Sequence, residues 1–295
     1  MSPSGISIAP MDFQHLTEAQ ALSVAVRWPH RLEDWAFLLA LGRGAVALDG
    51  DRVVGTSMWW AKGNSPATLG MIIVMPERQG QGLGRQLMDR ALSGIGPKPV
   101  MLNATKEGMP LYAKLGFEEI DVVHQHQGQP KPPDAGPASN EALVRSMKQS
   151  DLAAIVALDT RETGRSREAT LQALAQAGEG LVAERNGQLL GYALARPFGR
   201  GHVIGPVVAP DDRLARTFVR AWIERLSDGF VRIDVRASSG LSDWLVSQGL
   251  LKVDEIFTMA RSGARGEANG GSRNGSPDGS QPPSRLFALA SQALG

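Results

Sequence analysis

The chain has 295 residues, 42% of them hydrophobic, and a formal net charge of +1. That is enough to bury the cores of two ordinary domains, and so balanced a charge implies no general attraction to nucleic acid or anionic membrane. It has no cysteine, which excludes a disulfide framework, thiolate zinc sites and a cysteine nucleophile. A cytoplasmic protein is the expectation, since residues 1–8 do not read as a signal peptide and no run approaches the ~18 apolar residues of a membrane span.

In chain order, residues 6–8 predict a strand and residues 11–27 a helix, with Leu16, Ala19, Leu22 and Val26 at helical spacing. Trp28-Pro29 breaks it. Residues 31–41 predict a second helix, stopped by Gly42-Arg43-Gly44. Residues 45–48 and 53–60 predict a hairpin about Asp49-Gly50-Asp51. Trp28, Trp35, Trp59 and Trp60 gather here; most are expected in the core, and the adjacent pair must face opposite sides of a strand. Glu33, Asp34 and Glu77 are candidate general bases, each read first as a solvated surface carboxylate.

The next stretch carries the chemistry. Residues 71–74 are an unbroken apolar run suited to a strand buried on both faces, and Pro76 ends it. Gly80, Gly82 and Gly84 then alternate, and a helix follows with Leu83, Leu87, Met88 and Ala91 on one face. A strand, a glycine loop and a helix let backbone N–H groups approach an anion at the positive end of the helix dipole. The spacing fails the dinucleotide fingerprint, because Arg85 stands at the third glycine position. It also fails the nucleoside triphosphate loop, because Arg85-Gln86 follows Gly84. It fits Q-x-x-G-x-G, from Gln79 to Gly84. Downstream, residues 102–117 carry Leu111-Tyr112 and Leu115-Gly116-Phe117.

In this order and at this separation, the two motifs resemble the pyrophosphate loop and closing segment of the GCN5-related N-acetyltransferases (GNAT). The resemblance covers nearly all of residues 1–125. It implies an α/β (α+β) fold with a mixed, mostly antiparallel central sheet flanked by helices, and acetyl-coenzyme A as cosubstrate without a metal. Ile73 and Val74 are then expected to pair with the pantetheine arm, and Gln79, Gly80, Gln81, Gly82, Leu83, Gly84 and Arg85 to hold the pyrophosphate. Thr105 stands at a further cofactor position, where members often carry Asn. Tyr112 matches the tyrosine that protonates the departing thiolate. The implied activity is N-acetyl transfer to a primary amine of a small molecule, directly, in a ternary complex. A non-catalytic coenzyme A sensor or scaffold is the alternative. No nucleic-acid or membrane partner is expected; the acceptor, the base and the oligomeric state (a homodimer included) stay open.

The domain reading is residues 1–124 as the catalytic domain, 125–140 as a Pro-rich exposed linker and 141–261 as a divergent second copy. Residues 262–295 are read as a disordered tail ending in a short amphipathic stretch with no assigned role. His124 and His126 read as a surface pair. The second copy follows from internal similarity: residues 183–192 parallel 47–56, 204–210 parallel 69–76, and 244–250 loosely parallel 112–117. Gly191 corresponds to Gly55 and Gly249 to Gly116, a period of roughly 135 residues that marks a tandem duplication and not a solenoid. The glycine loop is replaced by Asp211-Asp212-Arg213, and Trp244 or Leu245 stands for the tyrosine, so no coenzyme A binding is expected there. Arg196, Arg200, His202, Arg232 and Asp234 form a polar cluster, read first as ion pairs or an interdomain contact.

Overall fold

The computed structural model describes residues 5–61, 63, 65–131, 143–263 and 285–295. The first half runs β1 (Ser7–Pro10), α1 (Leu16–Ala25), α2 (Leu32–Leu41), β2 (Arg43–Asp49), β3 (Arg52–Trp60), β4 (Ala67–Val74), α3 (Leu83–Ile95), β5 (Val100–Ala104), α4 (Met109–Ala113) and β6 (Glu118–Gly128). The second repeats the order: β7 (Leu143–Ser146), α5 (Leu152–Thr163), α6 (Glu168–Ala177), β8 (Glu179–Arg185), β9 (Gln188–Phe198), β10 (Gly201–Val208), α7 (Asp212–Arg225), β11 (Val231–Arg236), α8 (Ser242–Ser247) and β12 (Leu251–Arg261). A last strand, β13 (Leu286–Ala288), follows.

The local chemistry explains the elements that frame the site. Asp12 caps the turn that leads into α1, its carboxylate accepting from the Gln14 N–H at 3.0 Å. Asp-Gly turns the β2–β3 hairpin, with Gly50 at a φ of 62°. On α3 the residues at helical spacing are the buried ones: Leu83, Leu87, Met88, Ala91 and Ile95. Leu87 and Met88 are fully buried, worth about 1.5–3 kcal/mol each. The two adjacent tryptophans do divide between faces: Trp59 packs under α3, while Trp60 joins the core under α2 and donates its indole N–H to the Leu38 carbonyl at 3.0 Å.

The thirteen strands of the described residues form one mixed sheet, in the order β1-β2-β3-β4-β5-β12-β6-β11-β13-β10-β9-β8-β7. Among them only β4–β5 and β10–β11 run parallel; the other pairings are antiparallel. The fold class expected from the sequence therefore holds, but the two copies share their sheet. Each half hands its last strand to the other: β12 pairs with β5 of the first half, and β6 pairs with β11 of the second. The helices form matching layers. α3 and α4 cover one face of the first half, α7 and α8 the corresponding face of the second, and α1, α2, α5 and α6 enclose a core common to both.

Three expectations change. Residues 125–128 belong to strand β6, with 125–127 paired on both edges and Gly128 on one, so the chain is not exposed linker there; residues 132–140 lie outside the described residues. His124 and His126 are not a surface pair. His126 is fully buried, bonded to the Leu250 carbonyl at 2.9 Å and to Ser242 Oγ at 2.7 Å, and burial lowers its pKa. Both rings tie β6 to α8, with His124 Nδ1 at 2.9 Å from the same hydroxyl. The end of the chain is not a free tail: residues 285–295 lie in and against the sheet, with Leu286, Ala288, Leu289, Ala290, Ala293 and Leu294 buried. Residues 264–284 lie outside the described residues. Among the described residues, no helix is long and apolar enough to cross a membrane.

Candidate active site

β4 and β5 pair only over Ala67↔Val100, Thr68↔Met101 and Leu69↔Leu102, and then diverge. From Gly70 onward, β4 is bonded on its β3 side alone. Ile73 and Val74 lie on this free stretch; Val74 turns its backbone outward, its carbonyl accepting from Gln79 Nε2 at 3.2 Å, so its N–H is what the edge leaves to an extended ligand. A bulge sits where the strands part. The register shifts between Thr56 and Met58, Met71 takes a left-handed φ of 52°, and Thr56 donates its hydroxyl to the Met71 carbonyl at 2.8 Å. A non-glycine residue held there stores about 1–3 kcal/mol, and bulges re-aim backbone beside functional sites.

The strand leads to the glycine loop. Gly80 and Gly82 have φ of 75° and 81°, and a Cβ on either would meet nothing within 4 Å. They line open space, as a cradle for a phosphate group must. The first backbone bond into α3 is Gln86 N–H to the Gly82 carbonyl, at 3.1 Å. No described carbonyl accepts from the N–H groups of residues 80–85, so free donors and the positive helix end lie together at the open loop. Gly84 has another purpose: its Cβ would lie 3.3 Å from Leu111 Cδ2, so it allows α3 to pack on α4.

The loop's side chains do not fill the cradle. Gln79 donates to the Val74 carbonyl at 3.2 Å and Gln81 to the Glu77 carbonyl at 3.4 Å. Arg85 pairs with Asp89 at 3.0 Å along the helix, and Leu83 is buried. Arg78 pairs with Asp49 of the β2–β3 turn, fixing the loop's entrance.

Tyr112 sits on α4, its ring against Gly108 and 6.2 Å from the Phe117 ring. Burial pushes its pKa up, so it remains a protonated donor. Its hydroxyl makes no hydrogen bond with a described residue. Thr105, at the end of β5, lines the cavity described next, and its carbonyl accepts from the Gly108 N–H at 3.0 Å. The structure thus brings Thr105 and the β4 bulge to one cavity, which Tyr112 does not line.

That cavity, of about 150 Å³, opens where β4 and β5 part, and both halves line it. The first half supplies Arg27, Trp28, His30, Met71, Asn103, Thr105 and Gln125; the second supplies Arg196, Phe198, Arg232, Asp234, Asp254 and residues 291–293. Of the polar cluster, Arg196, Arg232 and Asp234 reach it, whereas Arg200 stacks on Phe230 at 4.4 Å. Arg232 is bidentate to Asp234, at 2.9–3.2 Å, and Arg196 pairs with Asp34 at 3.1 Å. Asp34 is not a surface carboxylate. It is 1% exposed, and three bonds from Arg31, one from Arg196 and one from the Gly199 N–H hold it below its usual pKa, against the opposing effect of burial. It is an anchor rather than a base. Glu33 and Glu77 do not line the cavity.

His30 packs edge-on to Phe198 at 5.1 Å between ring centroids. Burial first, then the Arg232 charge, lowers its pKa to about 3, so it is a neutral imidazole; its Nδ1 has no partner among the described residues. No reading of the sequence singled out His30, which follows the Trp28-Pro29 break. It also missed Asn103, Gln125 and the last residues of the chain, which are distant in sequence and meet only through the exchanged strands. Among the described residues no His, Asp and Glu cluster suits a metal ion.

In the second half the corresponding helix end and tyrosine position are already taken. Asp211 caps α7 with its own carboxylate, accepting from the Leu214 N–H at 2.8 Å, so a side-chain anion already occupies the helix end. Trp244 lies 5.7 Å from both Arg216 and Arg220, and Leu245 is fully buried.

Comparison with known proteins agrees with this geometry. Two family models, each described as an acetyltransferase (GNAT) domain, match residues 40–119 and 155–271. The uncharacterized N-acetyltransferase YitH of Bacillus subtilis (strain 168) is 29% identical over 238 residues, 77% of this chain and 76% of that protein. Among solved structures, a Pyrococcus horikoshii protein superposes with a TM-score of 0.78 at 18% identity, covering 100% of this chain and 98% of its own. A tandem GNAT protein from the clavulanic acid biosynthesis pathway gives 0.66 at 14% identity, covering 89% and 100%. With both halves matched by family models and laid out as the same sequence of strands and helices, the chain belongs to the GNAT acetyltransferases and is a tandem member of that family.

Proposed function

We propose that the first half transfers the acetyl group of acetyl-coenzyme A to a primary amine of a small molecule. One observation carries the reading: the free edge of β4 runs from a polar cavity, at the bulge, to an open cradle of unpaired N–H groups at residues 80–85. An extended arm ending in a pyrophosphate matches the edge and the cradle, and an acceptor matches the cavity. The residues present fit the cosubstrate.

In the reaction, the amine nitrogen attacks the thioester carbonyl carbon. The C–N bond forms, the C–S bond breaks, and the Tyr112 hydroxyl gives its proton to the departing sulfur. The amine's surplus proton leaves to water, and the tyrosinate is reprotonated from solvent. Backbone N–H groups of the bulged strand would stabilise the charge that the carbonyl oxygen gains. His30, neutral, supplies polarity without competing for that proton.

The test is calorimetry with acetyl-coenzyme A on the wild type and on Gly82→Asp, followed by assay of free thiol with an amine panel. The reading expects binding at one site per chain, lost in the variant, and thiol released only when an amine is present. Binding without thiol release would favour a sensor; binding that survives Gly82→Asp would remove the loop from the site.

A further inference from the structure

The cleft that stands open in the first half is filled in the second. β10 and β11 run parallel from His202↔Val231 to Ile204↔Ile233 and then part, as β4 and β5 do. Into the gap comes β13. It pairs antiparallel with β10 at Val207↔Ala288 and Val208↔Leu286, and with β11 at Val235↔Ala288. The chain's own end therefore lies where, in the first half, a free strand edge is exposed. Leu289 N–H continues the pairing to the Asp234 carbonyl at 2.9 Å, and a Cβ on Gly205 would collide with the Leu289 carbonyl.

From this anchorage the segment crosses to the first half. The Gln292 carbonyl accepts from Asn103 Nδ2 at 2.7 Å, and its side-chain amide donates to Gln125 Oε1 at 3.1 Å. Ala293 Cα lies 3.3 Å from the place of a Cβ on Gly70, at the start of the bulge. The Gly295 carbonyl accepts from Arg167 at 2.6 Å, and Arg167 is held in turn by Asp159 at 2.6 and 3.0 Å. Ser291, Gln292 and Ala293 thereby face the acceptor cavity.

We propose that the second half is a clamp for the C-terminal segment, and that this segment is the wall that selects the acceptor, favouring an amine whose remaining body carries hydroxyl or amide groups. The inference rests on the transferase reading above. The chemical class follows from the lining. Arg196 and Arg232 are taken up by Asp34 and Asp234, which leaves Arg27 and Asp254, one charge of each sign, on the lining. The wall itself is the neutral set of Asn103, Gln125, Ser291 and Gln292, bonded to one another through Gln292, whose side-chain Oε1 accepts from no described residue. A site of buried polar groups rejects a ligand that leaves them unpaired far more strongly than one that differs by a methylene. Gln292 acts partly as a positioning residue, since it holds Gln125 and Asn103 in place.

The experiment uses the full chain, with Gln292→Ala and Ser291→Phe beside the wild type. Acetyl-coenzyme A affinity is measured by calorimetry, and thiol release with hydroxyl- or amide-bearing amines and with alkylamines and arylamines of matched size. The wild type should turn over the hydrogen-bonding amines with kcat/KM at least about 100-fold above the others. Gln292→Ala should raise the acceptor KM about tenfold with kcat little changed, as losing one or two hydrogen bonds requires. Ser291→Phe should block the cavity more severely. Both should keep acetyl-coenzyme A affinity within about twofold, because the segment does not touch the cradle; this also reports that they fold. An unchanged acceptor KM in both variants, alkylamines used as well as hydroxylated ones, or no turnover of any panel amine despite cofactor binding would each overturn the proposal. Failure of the wild type to bind acetyl-coenzyme A would overturn the transferase reading itself.

Discussion

Asp34, on the second helix of the chain, and Arg196, 162 residues later on β9, form a buried ion pair at 3.1 Å. Asp34 is 1% exposed and Arg196 4%, and the guanidinium is stacked between Phe37 and Phe198 at 4.9 and 5.2 Å. The pair joins the two halves beside the cavity that Arg196 lines. Removing one partner leaves the other charge buried and uncompensated, so Asp34→Ala is expected to destabilise the protein by about 3–5 kcal/mol in urea unfolding. A loss below about 1 kcal/mol would mean that water reaches the pair.

Tyr112→Phe keeps the ring on Gly108 and Phe117 and removes a hydroxyl that bonds to no described residue. It should leave stability and acetyl-coenzyme A affinity unchanged while lowering kcat about 10²-fold or more. Steady-state kinetics beside calorimetry separates the two effects, and an unaltered kcat would remove Tyr112 from the proton path.

Gly55 and Gly191, which correspond in the internal repeat, are glycines for the same steric reason. A Cβ on Gly55 would lie 2.9 Å from Leu87 of α3 and 3.1 Å from the Ile73 carbonyl; one on Gly191 would lie 2.6 Å from the Val208 carbonyl and 3.1 Å from Phe218 of α7. Backbone cannot yield as a flexible side chain does. Gly191→Ala should therefore cost about 1–3 kcal/mol by thermal unfolding.

Acid should weaken the protein before its carboxylates titrate. The folded pKa of His30 lies near 3, and those of His124 and His126 are also lowered, burial being the first cause in each case. The unfolded chain thus binds more protons than the folded one between about pH 6.5 and the folded values, and stability falls as pH drops through that window. The urea midpoint should decline from pH 7 to pH 4.5, and less steeply in His30→Phe. A flat profile over this range would mean that the histidines reach solvent and protonate in the folded state.

Residues 1–131 alone should not form a stable monomer. β5 would lose β12, and β6 would lose both β11 and β12, leaving bare strand edges in the middle of the sheet. Gel filtration should show aggregates or a dimer; a monomer with a cooperative melt would mean that β6 can return to β5.

The sequence by itself determined the local devices: the Asp-Gly hairpin, the amphipathic α3, the glycine loop set between strand and helix, and the duplication with its loop lost. Each rests on residues adjacent in the chain, whose spacing fixes a periodicity or a turn whatever lies around them. Only the tertiary structure decided which strands lie side by side. Residues 125–128 look like a polar, exposed connection, and Asp34 like a surface carboxylate, because the partners that bury them stand more than 100 residues away. The last residues read as a short amphipathic stretch, and a segment of that length holds no stable helix in isolation. They are ordered because the diverging β10 and β11 offer a groove whose unpaired backbone groups need partners, and β13 supplies them. The cavity proposed for the acceptor follows the same rule: its walls come from both halves, and no stretch of either half alone contains it.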